Sequence, residues 1–385
     1  MKNPFEFGRE LEETELVDRQ DELAKVAETL ENAGRLFLIG PRRFGKTSVL
    51  KVAAERAERN GVVVIRRDAE AYPSIRQLAE SIVADAAKRL ASSAEKAGTK
   101  VRQFFGSLRP SLGFDPMTGS FSASLTTEQS TPESRMLTDV LDGLDVMAGD
   151  SGRRVAVIID EFQQIVESGG VNGGIDIERQ IRASVQRHKH VAYVFAGSKT
   201  TLLTEMTGDT SRPFYRLGER LFVGPIPRTD FAPFVRAGFE SAGFTIDDSA
   251  VTAILDYSED VPYNVQRLAH ACWNHVRDSG GGLLDPDDVR VVLERLVRRD
   301  DPFYTQTWRR LPRTHQTALI AIASDVAELF SMDTLTRLEL APATMQSALK
   351  GLLRTGIIRE DENAGSVKYR LEDPFFGEWV RLVVG

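Results

Sequence analysis

Gly40-Pro41-Arg42-Arg43-Phe44-Gly45-Lys46-Thr47 is the stretch whose reading decides the fold. It satisfies the spacing G-x-x-x-x-G-K-[ST], follows the apolar run Arg35 to Ile39, and opens an amphipathic helical pattern over Thr47 to Arg59. Strand, glycine-bearing turn and helix in that order make a polyphosphate cradle. Such a group needs converging backbone amides, a helix amino end with partial positive charge, one ammonium and one hydroxyl for a divalent metal. Gly40 and Gly45 permit the tight path, Pro41, Arg42, Arg43 and Phe44 complete the loop, and Ser48 follows it in the first helical turn. Lys46 is expected to reach the β- and γ-phosphates, and Thr47 to ligate Mg2+ through its hydroxyl.

A second element supports the first. Val155-Ala156-Val157-Ile158-Ile159 is a continuous apolar strand that delivers Asp160 and Glu161 at its carboxyl end, where open parallel sheets bind ligands. Asp160 is expected to hold magnesium, and Glu161 to orient and polarise an attacking water. A further strand, Val191 to Ala196, runs into Gly197-Ser198-Lys199-Thr200. Ser198 is therefore a candidate γ-phosphate sensor, with capping of the next helix as the plain alternative. No Asn-Lys-x-Asp guanine reader occurs, which favours ATP over GTP.

Outward from these motifs, Val62 to Arg66 reads as another strand, and Ser74 to Ala91 as a helix after Tyr72-Pro73. Apolar runs alternating with helical patterns predict a mainly parallel sheet covered on both faces. Turn residues at Asp115 to Ser120 separate two alternating segments, so a β-hairpin inserted near 107–126 is expected, as an edge addition or a projecting arm. Ser168-Gly169-Gly170-Val171-Asn172-Gly173-Gly174 reads as a mobile loop. From Thr229 to Asp301 the pattern is helical, with entrances at Thr229-Asp230, Asp247-Asp248 and Asp285-Pro286. Helices over Thr314 to Ser324, Asp333 to Leu340 and Pro342 to Thr355, then two short strands around Asn363-Ala364-Gly365, give the order of a winged helix-turn-helix. The domains expected are 1–228, 229–301 and 302–385.

Composition bounds what these parts can do. A chain of 385 residues, 42% apolar, buries sizeable cores without disulfides. Its net charge of -7 excludes a basic nucleic-acid coat, so any nucleic-acid contact has to be local. Cys272 is the only cysteine, and the amino terminus carries no apolar leader pattern. Together with the lack of any run of about twenty apolar residues, this predicts a cytoplasmic protein without membrane contact.

Gly40 to Thr47, Val155 to Glu161, Gly197-Ser198 and the terminal winged helix together resemble the archaeal-type ATPase family, which is similar to STAND and AAA+ NTPases. The resemblance implies a P-loop NTPase parallel sheet, then a helical lid and a winged-helix domain. It also implies roles for residues that spacing alone leaves mute. Leu16 to Leu23 matches the family's opening box, placing Val17 and Arg19 beside the adenine. Arg216, within Pro213 to Arg220, matches a segment whose arginine faces a γ-phosphate or a neighbouring subunit; the plain alternative is a surface salt bridge, to Glu219 or another carboxylate. Pro262 matches the Gly-x-Pro segment of STAND lids, although Asp260 stands where the glycine belongs. ATP or ADP, Mg2+, and a protein partner or further copies of the chain are the implied ligands and partners. Whether the winged helix meets DNA stays open. Lys350 and Arg354 make the presumed recognition helix weakly cationic, but residues 302–385 hold ten Lys/Arg against ten Asp/Glu, and the wing begins with Glu360, Asp361 and Glu362. The five histidines show no metal spacing, and Pro374 to Trp379 reads as a core plug.

Overall fold

The computed structural model describes residues 2–90, 94–126, 132–363 and 366–384. The chain divides into two compact units: one of residues 12–40 and 46–223, the other of residues 1–11, 41–45 and 224–385. No described helix is long and apolar enough to cross a membrane.

The first unit is an α/β layer structure. Its elements begin with α1 (Gln20–Glu31), β1 (Arg35–Ile39), α2 (Lys46–Arg59), β2 (Val63–Asp68) and α3 (Ile75–Leu90). There follow α4 (Ala94–Phe104), β3 (Pro110–Asp115), β4 (Ser120–Leu125), α5 (Glu133–Ser151) and β5 (Val155–Asp160). The unit closes with α6 (Gln163–Ser168), α7 (Gly170–Val185), β6 (Val191–Gly197), α8 (Thr200–Gly208) and β7 (Glu219–Phe222). Five of the strands form one sheet in the order β2-β5-β6-β1-β7, every pairing parallel. All residues of β5 and β6 are buried, as their unbroken apolar runs require when helices cover both faces. The order separates β1 from β5 by one strand, β6, so the carboxyl ends of all three strands adjoin.

The four strands read from the sequence are present, and β7 is a fifth. Its Glu219 and Arg220 are exposed polar residues on an edge, which hides the strand from an apolar count. The hairpin is neither an edge addition nor part of the main sheet: β3 and β4 form a separate two-stranded sheet, and β4 packs on α3. The stretch expected to be a mobile loop, 168–174, is instead the junction of α6 and α7. Two of its glycines, Gly169 and Gly174, serve close approach. A Cβ on Gly169 would lie 2.6 Å from the Gly173 carbonyl carbon, and one on Gly174 would lie 2.8 Å from Val166 O.

The second unit carries α9 (Arg228–Glu240), β8 (Thr245–Ile246), α10 (Asp248–Tyr257), α11 (Pro262–Asp278), β9 (Leu283–Leu284), α12 (Pro286–Arg299) and α13 (Asp301–Arg309). Asp247 and Asp285 cap α10 and α12 through their side chains, and Asp285 with Asp288 forms a capping box. The expected entrance at Thr229-Asp230 lies inside α9, whose cap position is Pro227. Proline presets the backbone there, so no side-chain cap is made. Phe5 lies against Phe234 and Phe239, and a Cβ on Gly238 would meet its ring, so the amino-terminal residues fill out this core.

Next come α14 (Arg313–Ala323), α15 (Met332–Arg337), α16 (Pro342–Arg354), β10 (Ile358–Asn363), β11 (Ser366–Leu371) and α17 (Pro374–Trp379). Three helices and an antiparallel pair make the winged helix. The expected wing turn at Ala364-Gly365 lies outside the described residues, as does Ala91 at the expected end of α3. Phe375, Phe376 and Trp379 are buried, with Tyr304 stacked on Phe376 at 5.3 Å, so α17 is a core plug.

Candidate nucleotide site

Lys46, Thr47, Asp160, Glu161 and Ser198 all lie at or just beyond the carboxyl ends of the parallel strands β1, β5 and β6. β1 ends at Ile39 and the chain turns at Gly40, where any Cβ would stand 2.5 Å from Val223 O. Only glycine fits between the two strand ends. At the far side of the loop Gly45 takes φ +89°, which disfavours any side chain. Helix α2 then starts at Lys46, so its first amides and positive end face the turn.

Thr47 Oγ1 donates to Asp160 Oδ2 at 3.1 Å, joining the loop to the end of β5. Lys46 and Asp160 are 5% and 4% exposed, a buried ammonium and a buried carboxylate acting on each other electrostatically. Burial above all, then the Glu161 charge, push the Asp160 carboxyl above its usual range; Lys46, the Glu161 amide and the Thr47 hydroxyl pull it back. A divalent cation would favour the ionised form. One hydroxyl and one carboxylate are hard oxygen donors of the kind Mg2+ takes, and phosphate oxygens and water would complete its shell. The residues present fit the metal.

Glu161 adopts φ +48°, and its amide donates to Asp160 Oδ1 at 3.0 Å. That left-handed turn swings its carboxylate toward β6. Glu161 Oε2 accepts from Ser198 Oγ at 2.7 Å, from the Ser198 amide at 3.3 Å, and from Gln163 Nε2. Ser198 thus meets the carboxylate expected to polarise water. The cap of α8 is Lys199, without a side-chain bond, so the helix-capping alternative for Ser198 is not what the structure has. Gln163 is fully buried and was missed in the sequence, where nothing distinguishes it from any other polar residue at a helix start.

Arg19 is buried and paired with Glu22 at 2.9 Å, next to a half-buried Val17. The structure does not bring Arg216 to this edge. Arg216 precedes β7 and so lies at the amino end of the sheet, a strand of five residues, about 16 Å, from the loop. There it is exposed, at φ +55°, with its guanidinium 5.0 Å from the Tyr215 ring. The segment is firmly held: Phe214 is buried against Phe37 and Phe162, Arg182 donates to the Pro213 and Tyr215 carbonyls, and Arg212 pairs with buried Glu178. Glu219, the carboxylate named as a surface partner, pairs with Lys25 at 2.8 Å instead.

In the second unit, the tip of the loop has its own partners. Arg43, at φ +68°, pairs through Nη1 with Asp373 Oδ2 at 2.8 Å, and its carbonyl accepts from the Tyr263 amide at 3.3 Å. Phe44 lies under Arg359, 5.7 Å from its guanidinium. Pro262 is the first-turn proline of α11. Asp260 adopts φ +55°, the left-handed conformation for which glycine is favoured, and Arg228 Nε holds it at 2.8 Å.

The parallel sheet, the loop from β1 into α2, and the carboxylates after β5 define a P-loop NTPase, here with a carboxyl-terminal winged helix. The family described as an ATPase domain predominantly from Archaea matches residues 16–267, and the chain belongs to it. A probable winged helix domain matches residues 302–382. Among solved structures, the Walker-type ATPase PABY2304 of Pyrococcus abyssi superposes with a TM-score of 0.63 at 19% identity, covering 98% of this chain and 100% of that one. The Aeropyrum pernix ORC2 protein, solved as ADPNP–ADP complexes, gives 0.57 at 16% identity over 99% and 96%. At these identities the likeness is one of fold. No curated protein matches the chain.

Proposed function

We propose that this protein is a magnesium-dependent ATPase whose nucleotide state moves its helical lid and winged helix and so switches a partner interaction. The observation that carries the reading is the 3.1 Å bond from Thr47 to Asp160 at the carboxyl edge of the sheet, with Lys46 buried beside it. Loop amides and Lys46 hold the β- and γ-phosphates, and Val17 and Arg19 flank the adenine. Thr47 and Asp160 would hold Mg2+, which neutralises charge on the phosphate oxygens. Glu161 takes a hydrogen bond from the attacking water and turns it toward the γ-phosphorus, provided its carboxylate leaves Ser198 and Gln163. Ser198, bonded to that carboxylate, reports the terminal phosphate by exchanging one anionic partner for the other. Arg216 serves a neighbouring copy of the chain, since sheet polarity holds it away from its own loop.

Phosphate release, measured with and without duplex DNA, tests the proposal. Basal or stimulated release from the wild type is expected, and Lys46→Ala should bind ATP up to about a hundredfold more weakly, the loss of a charged hydrogen bond worth up to about 3 kcal/mol. Unchanged ATP affinity in that variant would sink the reading. A second reading, ATP-regulated DNA binding, is favoured by one feature: the exposed face of α16 carries Gln346, Ser347, Lys350 and Arg354 without an acid. Stimulation of release by DNA would select it.

A further inference from the structure

Asp373 is the cap residue of α17, and its carboxylate is crowded with donors. Oδ1 accepts from the Phe375 amide and from Asn264 Nδ2, each at 3.1 Å, and Oδ2 accepts from the Tyr304 hydroxyl at 3.4 Å and pairs with Arg43 at 2.8 Å. Asn264 is fully buried and Tyr304 nearly so, which locks the carboxylate in place. Arg43 is the third of the four residues between the loop's two glycines. Its guanidinium also lies 5.0 Å from the Tyr263 ring, and the Tyr263 amide bonds its carbonyl. One residue of the phosphate-binding loop is thus held at side chain and backbone by α11 and α17.

We infer that Asp373 is an internal competitor of nucleotide: its carboxylate occupies Arg43 as a phosphate would, and so sets the affinity of the loop for ATP. This rests on the reading of Gly40 to Thr47 as a polyphosphate loop. The argument is electrostatic. A loop built to collect anions carries a cation already matched to a fixed anion, and a triphosphate arriving there meets a spent arginine and a like charge behind it. Release of Arg43 to the phosphates leaves Asp373 with neutral donors only, so nucleotide and the Arg43–Asp373 pair oppose each other. Linkage makes the opposition reciprocal: whatever ATP gains when Asp373 is neutralised, the pair loses when ATP binds. Burial works to lower the Arg43 pKa, yet Asp373 outweighs it and the guanidinium is held more firmly protonated than usual, consistent with a strong pair.

The test is calorimetric titration of ATP into the wild type, Asp373→Asn, Arg43→Gln and the double variant. Asparagine caps a helix as well as aspartate does and still accepts from Phe375 and Asn264, so α17 should stay folded; Asp373→Ser is the second variant, and melting curves check both. Asp373→Asn is expected to bind ATP about tenfold more tightly, the size of a typical coupling between sites. In the Arg43→Gln background most of that gain should vanish, because no cation is left to free. Equal or weaker binding by Asp373→Asn at unchanged melting temperature overturns the inference, as does a gain that persists in full without Arg43. If the wild type itself fails to bind ATP, the nucleotide reading falls and takes this one with it. If the wild type binds and both Asp373 variants match it, this inference alone fails.

Discussion

The two ends of the parallel sheet make an instructive pair. At the carboxyl end, groups from three strands come together: Thr47 bonds Asp160, Ser198 bonds Glu161, and buried Lys46 acts on the Asp160 charge. At the amino end, Arg216 is presented on a loop pinned by Arg182, Arg212 and Phe214, with no phosphate loop in reach. The first end is dense with buried charge that tunes itself, whereas at the second Arg216 is an exposed cation on a firmly held loop. Strand direction makes the difference: in a parallel sheet every carboxyl end lies on one side, so motifs far apart in sequence converge there, and a residue before a strand is carried to the opposite side.

The largest effect that would break this contrast belongs to Glu161. Glu161→Gln is expected to retain ATP and lower turnover by about 10²- to 10⁴-fold, the usual contribution of a positioned base, with single-turnover phosphate release as the measurement. Undiminished turnover would move the base elsewhere. Arg216→Ala comes next, and it sharpens the contrast by concentration. ATP affinity of the dilute chain should not change, while turnover at concentrations where copies assemble should fall by up to about 10³-fold, as for an arginine supplied in trans. A loss of affinity in the dilute chain would mean that the amino end reaches its own site after all. Ser198→Ala has the smallest expected effect, a drop in turnover of about tenfold from losing the hydrogen bond that Ser198 would give the terminal phosphate, worth about 1.5 kcal/mol to a charged acceptor. Faster turnover instead would identify Ser198 as a restraint on Glu161 and not as a sensor.

Much of the fold was legible because it obeys local rules. Unbroken apolar runs marked β1, β2, β5 and β6; side-chain caps marked α10 and α12; and alternation about a turn marked the hairpin. Illegible features were those where local appearance and tertiary use part company. β7 opens on exposed polar residues and becomes a strand through pairing with β1. The glycines at 169 and 174 look like flexible linker and instead admit one helix against another. Within the site, the glycine spacing announced the loop and the apolar strand announced the two acids. Gln163 and Asp373 carried no signal, because their importance comes from what they touch.

The sequence alone determined the chemistry: a loop with the spacing to cradle phosphates, an ammonium and a hydroxyl in it, and two carboxylates ending an apolar strand, each readable because backbone geometry links neighbouring residues. Only the tertiary structure decided which of these groups meet and which are restrained, that Thr47 bonds Asp160, that Ser198 bonds Glu161, that Arg43 is matched by Asp373 some 330 residues away, and that Arg216 faces the other way. Those outcomes depend on strand order and direction, which are set by the packing of the whole chain, and no local stretch contains them.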